Sequence, residues 1–203
     1  MTVSVHNAAH SDLDGVVAAH RAAFPGFFMT LLGPRFLTHF YRHFIDNPLG
    51  VLLIARDTNG SVLGCLAGTS RPAEFFRMLR SGQGMTLLMA AIPALLRHPL
   101  RVVGRLLSAI RYRGDEPPDL PGYWLLSSLG VRRDFGGSGI GTALVERFVV
   151  DAGRTGAAGI YLVTDSDDNE RARTFYSRRG FVMHSRRVRR DGRRLEVLVR
   201  GLN

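Results

Sequence analysis

The sequence predicts an α/β domain built on a mixed sheet. Three observations carry this. Apolar runs of strand length alternate with stretches of helical periodicity along the chain. Turn sequences sit where hairpins need them, at Asn59-Gly60 and Asp191-Gly192. One strand-like run, Tyr123–Val131, passes through a glycine-rich loop straight into an amphipathic stretch.

The elements follow in order. Thr2 to Val5 alternates and reads as a first strand. Ser11 is placed to cap a helix in which Leu13, Val16, Val17, His20 and Phe24 recur at helical spacing, until Pro25-Gly26 ends it. Arg35 to Ile45 reads as a second helix after Pro34. Val51–Ala55 and Val62–Gly68 are apolar strands joined by Asp57-Thr58-Asn59-Gly60. Glu74 to Arg113 reads as helices broken near Gly82–Gly84 and near Pro99. Asp115 to Gly122, with Pro117, Pro118 and Pro121, is a rigid connector. Then come a strand at Tyr123–Val131, a helix at Ile140–Ala152, a strand at Ile160–Thr164 and a short helix at Glu170–Ser177. Phe181–Val188 and Leu195–Arg200 form a closing hairpin.

Composition narrows the chemistry. The 203 residues suit a single domain, 1–203, with a real core. One cysteine, Cys65, allows no internal disulfide. All 27 basic residues are arginine, which excludes a Schiff-base lysine and a Walker lysine. The net charge of +10 would suit an anionic partner, but the complete absence of lysine points to codon composition instead, so no nucleic acid is expected. The N-terminus lacks a basic segment followed by an apolar run. The longest uncharged stretch, Ser81–Leu96, is interrupted by Gly82, Gly84 and Pro93. A soluble, cytoplasmic protein without a membrane span is the expectation.

The glycines explain the loop. In GVRRDFGGSGIGTALV (Gly130–Val145), bare amides run into a helix whose apolar face is Ile140, Leu144, Val145, Phe148 and Val149. First-turn amides have no intrahelical partner, and the helix dipole favours negative charge there, so a phosphate fits. A Rossmann fingerprint would need a further glycine at 142 or 144, where Thr142 and Leu144 stand. A Walker loop would need lysine at Thr142.

The second signal lies downstream, at Asn169, Ala172, Phe175, Tyr176, Gly180 and Phe181. Together with Gly137-Ser138-Gly139-Ile140-Gly141, it resembles the GNAT superfamily of N-acetyltransferases. The likeness covers Tyr123 to about Ser185 well, and earlier elements in order only. It implies a mostly antiparallel central sheet with two splayed parallel strands, flanking helices and, here, a helical insertion at about 72–118. It implies acetyl-CoA as cosubstrate and no metal. The pantetheine arm would enter between Tyr123–Val131 and Ile160–Thr164 and pair with backbone groups near Leu129 and Val131. Amides of Gly136, Gly137, Ser138, Gly139, Ile140, Gly141 and Thr142 would hold the pyrophosphate, and Asn169 would fix the cofactor or start its helix. A backbone N–H of the first strand would stabilise the oxyanion. The family's acid tyrosine maps to Tyr176, whose phenol is protonated at neutral pH and can donate to the leaving thiolate. One departure stands out: the family usually has Arg or Gln where this chain has Gly136. Arg132 and Arg133 are the candidates to substitute, and since the amide cradle itself needs no side chain, cofactor binding is expected to survive.

The acceptor would be a primary amine, with an amino sugar as the narrower expectation. Glu74 and Asp165 are acidic candidates for the base, Ser127 and Ser128 candidates for holding a water, and the sequence chooses none. The alternative is a non-catalytic acyl-CoA-binding or RNA-associated protein on the same fold. His39 and His43 lack the glutamate of a zinc motif between them, and Asp165–Asn169 lacks the glycine and glutamate of a calcium loop. Leu100, Val103, Leu107 and Ile110 form an apolar stripe in the insertion. It would serve a lid or a homodimer contact, with a membrane-surface helix as the third reading.

Overall fold

The computed structural model describes residues 3–97, 117, 119–167, 169–189 and 192–202. The chain forms a seven-stranded mixed sheet with helices on both faces. The strands are β1 (Ser4–Asn7), β2 (Gly50–Arg56), β3 (Val62–Thr69), β4 (Tyr123–Val131), β5 (Gly159–Asp165), β6 (Val182–Val188) and β7 (Arg194–Gly201), in the spatial order β1-β2-β3-β4-β5-β7-β6. Every pairing is antiparallel except β4 with β5.

Central position explains the apolar runs. β2 and β3 are covered on both faces, so Leu52–Ala55 and Val62–Ala67 are buried without alternation. β6 lies at the sheet edge and leaves Val182, Met183 and Val188 exposed. On one face, α1 (Leu13–Ala23), α3 (Pro34–Asp46) and α4 (Pro72–Arg97) bury Val16, Leu37, Tyr41, Phe44 and Phe75 against Ile54, Cys65 and Leu125. A short α2 (Phe28–Leu31) links the first two, an element the sequence pattern does not show. On the other face, α5 (Ile140–Arg154) and α6 (Glu170–Ser177) cover Leu66, Trp124, Leu126, Ile160 and Leu162 with Leu144, Phe148 and Tyr176.

Several expectations change. The first strand is Ser4–Asn7, two residues later than the alternation suggests. Ser11 is not the cap. It lies in a single 3-10 turn, His10–Asp12, and Asp12 holds the junction by accepting the Ala9 N–H at 2.9 Å and pairing with Arg56. α4 runs unbroken through Gly82, Gly84 and Pro93. Glycine costs about 1 kcal/mol in a helix interior and proline about 3, but this helix buries Phe75, Phe76, Leu79, Ala91 and Ala94, and that burial prevails. The expected break near Pro99 and the Leu100–Ile110 stripe lie outside the described residues.

Candidate active site

β4 and β5 pair only at Tyr123↔Gly159, Trp124↔Ile160 and Leu125↔Tyr161. Beyond that point they part, so Leu126–Val131 and Leu162–Asp165 face each other without a ladder. A cause lies on the opposite edge of β4. Its register with β3 slips from Ala67↔Ser128 to Gly68↔Leu126, leaving Ser127 as an extra residue. Such a bulge bends its strand and increases its twist, and it falls just past the last β4–β5 pair. Both strands keep their other partners, β3 and β7. The result is a slot with unpaired backbone on each wall.

The slot leads to the glycine loop. After β4, a 3-10 turn at Arg133–Phe135 reverses the chain, and Gly137 (φ 83°) and Gly139 (φ 84°) take left-handed conformations that favour glycine. Gly139 is the N-cap of α5. Among the described residues, no hydrogen bond takes the N–H of Gly137, Gly139, Ile140, Gly141 or Thr142. The Gly136 and Ser138 amides are engaged, donating to the carbonyls of Arg133 (3.0 Å) and Phe135 (3.3 Å). Of the seven amides expected to cradle an anion, Gly136–Thr142, five are thus without a partner among the described residues, and those of Gly136 and Ser138 are engaged within the loop. Gly141 is small for a different reason: a Cβ there would stand 3.2 Å from the Phe175 ring.

α6 closes the site from the side. Tyr176 is packed between the rings of Phe175 (5.1 Å) and Phe181 (5.5 Å). It shares an apolar cluster with Ile140 and Leu162, against which Leu129 and Val131 pack. Among the described residues its hydroxyl has no hydrogen-bond partner. Burial holds the phenol above its ordinary range, and the nearby Arg179 charge pulls in the opposite direction. The group is thus protonated at every working pH. Asn169 precedes α6, and its backbone carbonyl accepts the Arg173 N–H at 3.1 Å. Its side-chain amide donates to Thr164 Oγ1 and to the Asp165 carbonyl, so it ties α6 to the end of β5.

The acidic candidates are occupied. Asp165 is held by Arg193, with Nη2 at 2.7 and 2.8 Å from its two oxygens. Glu74 pairs with Arg71 and Arg77. It lines an open groove of about 690 Å³ with Pro48, Ser70, Tyr123 and Thr155, at the end of β4 remote from the glycine loop. His43 packs on the Phe75 ring at 4.6 Å, and among the described residues no three His, Cys, Asp or Glu side chains cluster as metal ligands.

Sequence reasoning misses one polar cluster. His20 Nδ1 lies 2.6 Å from the Tyr41 hydroxyl, which lies 3.4 Å from Ser128 Oγ beside the bulge. His20 Nε2 is buried with no hydrogen-bond partner among the described residues. Burial lowers the His20 pKa to about 4, raises Tyr41 well above its ordinary range and raises Cys65 to about 12. The trio is neutral at neutral pH. Nothing local in the sequence joins residues drawn from α1, α3 and β4.

The β4–β5 split thus opens onto amides at the start of α5 that have no hydrogen-bond partner among the described residues. The sequence model of the acetyltransferase (GNAT) family matches residues 14–181, and the chain belongs to that family, whose members use acetyl-CoA. No curated protein matches the chain in sequence. Among solved structures, SsHAT superposes with a TM-score of 0.71 at 21% identity, covering 100% of both chains. A histone acetyltransferase HPA2 and related acetyltransferase from Corynebacterium glutamicum gives 0.63 at 21%, covering 99% of this chain and 97% of its own. The NatC complex bound to Gag peptide and CoA gives 0.63 at 15%, with 100% of both chains covered. At these identities the structures show the fold. No helix among the described residues is long and apolar enough to cross a membrane.

Proposed function

We propose that the protein moves the acetyl group of acetyl-CoA to a primary amine by direct attack on the thioester. The observation that carries this reading is the continuity of the β4–β5 slot with the free amides of Gly137 and Gly139–Thr142. Unpaired backbone near Leu129 and Val131 offers the pantetheine amides the pairing an added strand would have. The loop amides and the α5 dipole take the pyrophosphate. An N–H on the open edge of β4 stabilises the oxyanion. Tyr176 then donates its proton to the departing thiolate. With Glu74 and Asp165 held in ion pairs, Ser127 and Ser128 at the bulge are left to hold the water through which the amine loses its proton. Asn169 acts at one remove, by fixing α6 to β5.

The test is a panel of amines, including amino sugars and peptide N-termini, read as release of free thiol from acetyl-CoA. Turnover on at least one amine is the expected result. Binding of CoA with no turnover on any amine would favour a non-catalytic acyl-CoA-binding protein. No binding at all would overturn the reading of the site.

A further inference from the structure

The loop contains two kinds of glycine. At Gly137 and Gly139 the positive φ selects glycine on backbone grounds. Gly136 is different. Its φ of −59° and ψ of 133° are open to any residue. What crowds a side chain there is its surroundings. A Cβ would stand 3.2 Å from the carbonyl oxygen of Arg133 and 3.2 Å from Nη2 of Arg171. The guanidinium of Arg171 thus lies against the loop at Gly136, where a side chain would have to displace it slightly.

Arg171 and Phe175 share a face of α6 at four-residue spacing, and Arg179 follows in the turn just past the helix end. Phe175 and Arg179 fasten α6 to the start of α5. Phe175 packs on Gly141, and Arg179 donates to Thr142 Oγ1 and to the Phe175 carbonyl while its guanidinium lies 3.6 Å from the Phe175 ring centroid. Arg179 is therefore committed to holding the helices together. Arg171 is exposed, and among the described residues no hydrogen bond or ion pair engages it. Arg132, the nearby alternative, pairs with Asp134 and lies over the Phe135 ring. The Arg133 side chain is exposed and, like that of Arg171, has no hydrogen bond or ion pair among the described residues, but it is the Arg171 guanidinium that lies 3.2 Å from a Cβ at 136, beside the uncommitted amides.

We infer that Arg171 is the side chain that binds the diphosphate of the acyl carrier, acting from α6 in place of a side chain at position 136. The inference rests on the reading of the site given above. A guanidinium presents paired N–H groups to phosphate oxygens, so it supplies the charge that neutral amides lack. Gly136 and Arg171 are then one device, because the glycine makes room for the arginine.

Calorimetry tests this with CoA, 3′-dephospho-CoA and pantetheine as ligands, on the wild type, Arg171→Ala and the double variant Arg171→Ala with Gly136→Arg. Arg171→Ala should weaken CoA and 3′-dephospho-CoA by about tenfold or more, the weight of a charge-assisted bond, and leave pantetheine unchanged. It should also flatten the salt dependence of CoA binding. With Arg171 removed, a side chain at 136 has only the Arg133 carbonyl to accommodate, by a few tenths of an ångström, and the backbone angles suit arginine, so Gly136→Arg should recover part of the loss. Equal CoA affinity in wild type and Arg171→Ala would overturn the inference. So would an equal loss for pantetheine, which marks a structural role, or a loss confined to CoA, which places Arg171 on the 3′-phosphate. A wild type that binds none of the three would overturn the site itself.

Discussion

Lowering the pH should destabilise this protein, with buried His20 a principal contributor. His20 is 4% exposed, and its pKa falls from 6.5 to about 4 on folding because burial disfavours the charged ring. The unfolded chain therefore takes up the proton first. Stability from this group is complete above about pH 6.5 and is lost as pH falls toward about 4. A shift of about 2.5 units at about 1.4 kcal/mol each makes the full loss about 3 kcal/mol, of which about 2 has gone by pH 5. Tyr41 and Cys65, the titratable neighbours, have raised pKa values and remain neutral across this window. His20→Phe keeps a ring beside Phe24 and removes the titration. It loses the bond to Tyr41, at a cost of about 1 kcal/mol at neutral pH. Urea unfolding followed by Trp124 fluorescence at about pH 7.5 and about pH 5 compares the two. Carboxylate pairs such as Asp12–Arg56 weaken in both proteins, so they cancel in the difference. The wild type should lose about 2 kcal/mol more than the variant over that interval. Parallel losses would show that the His20 proton is not linked to folding.

Two other substitutions follow from the same contacts. Tyr176→Phe keeps the ring between Phe175 and Phe181 but should lower kcat by about 10²- to 10⁴-fold with little change in CoA affinity. Because burial raises this phenol, the wild-type profile should show no limb near its ordinary pKa of about 10, and wild-type kcat in the variant would leave Tyr176 a packing residue. Gly68→Ala puts a Cβ 2.3 Å from Phe148 Cζ and should cost about 1–3 kcal/mol in denaturant unfolding. Adding Phe148→Leu should relieve part of this, and no relief would place the strain elsewhere.

The sequence carries those features whose cause is local. A glycine at Gly139 is needed by the backbone of a single residue, and the hairpin at Asp57–Gly60 is closed by bonds within five residues, so both are written in short strings. The Asn169–Phe181 pattern is equally compact. What it hides depends on distance along the chain. The His20–Tyr41–Ser128 cluster joins positions 21 and 87 residues apart. The role of Gly136 becomes visible only when Arg171, on another helix, is seen to lie against it. α4 misleads in the other direction. Gly82, Gly84 and Pro93 signal a break that local propensity alone would make, and burial of Phe75, Phe76 and Leu79 overrides it. The bulge at Ser127 leaves no mark, since a register slip is a property of two strands and not of either one.

The short seam between β4 and β5 has a mechanical consequence. Among the described residues, three pairs join β1–β4 to the β5–β7–β6 unit within the sheet, and helix packing, the Ala158–Gly122 backbone bond and the His184–Asp119 pair add further coupling. The molecule is two stiff plates on one short hinge. Anything extended that lies along the open edges and bonds to both would act as a rivet, setting the angle between plates that the protein alone leaves compliant. A guest in this position is a missing strand of the fold. Its departure would return the plates to the compliance of the short hinge alone.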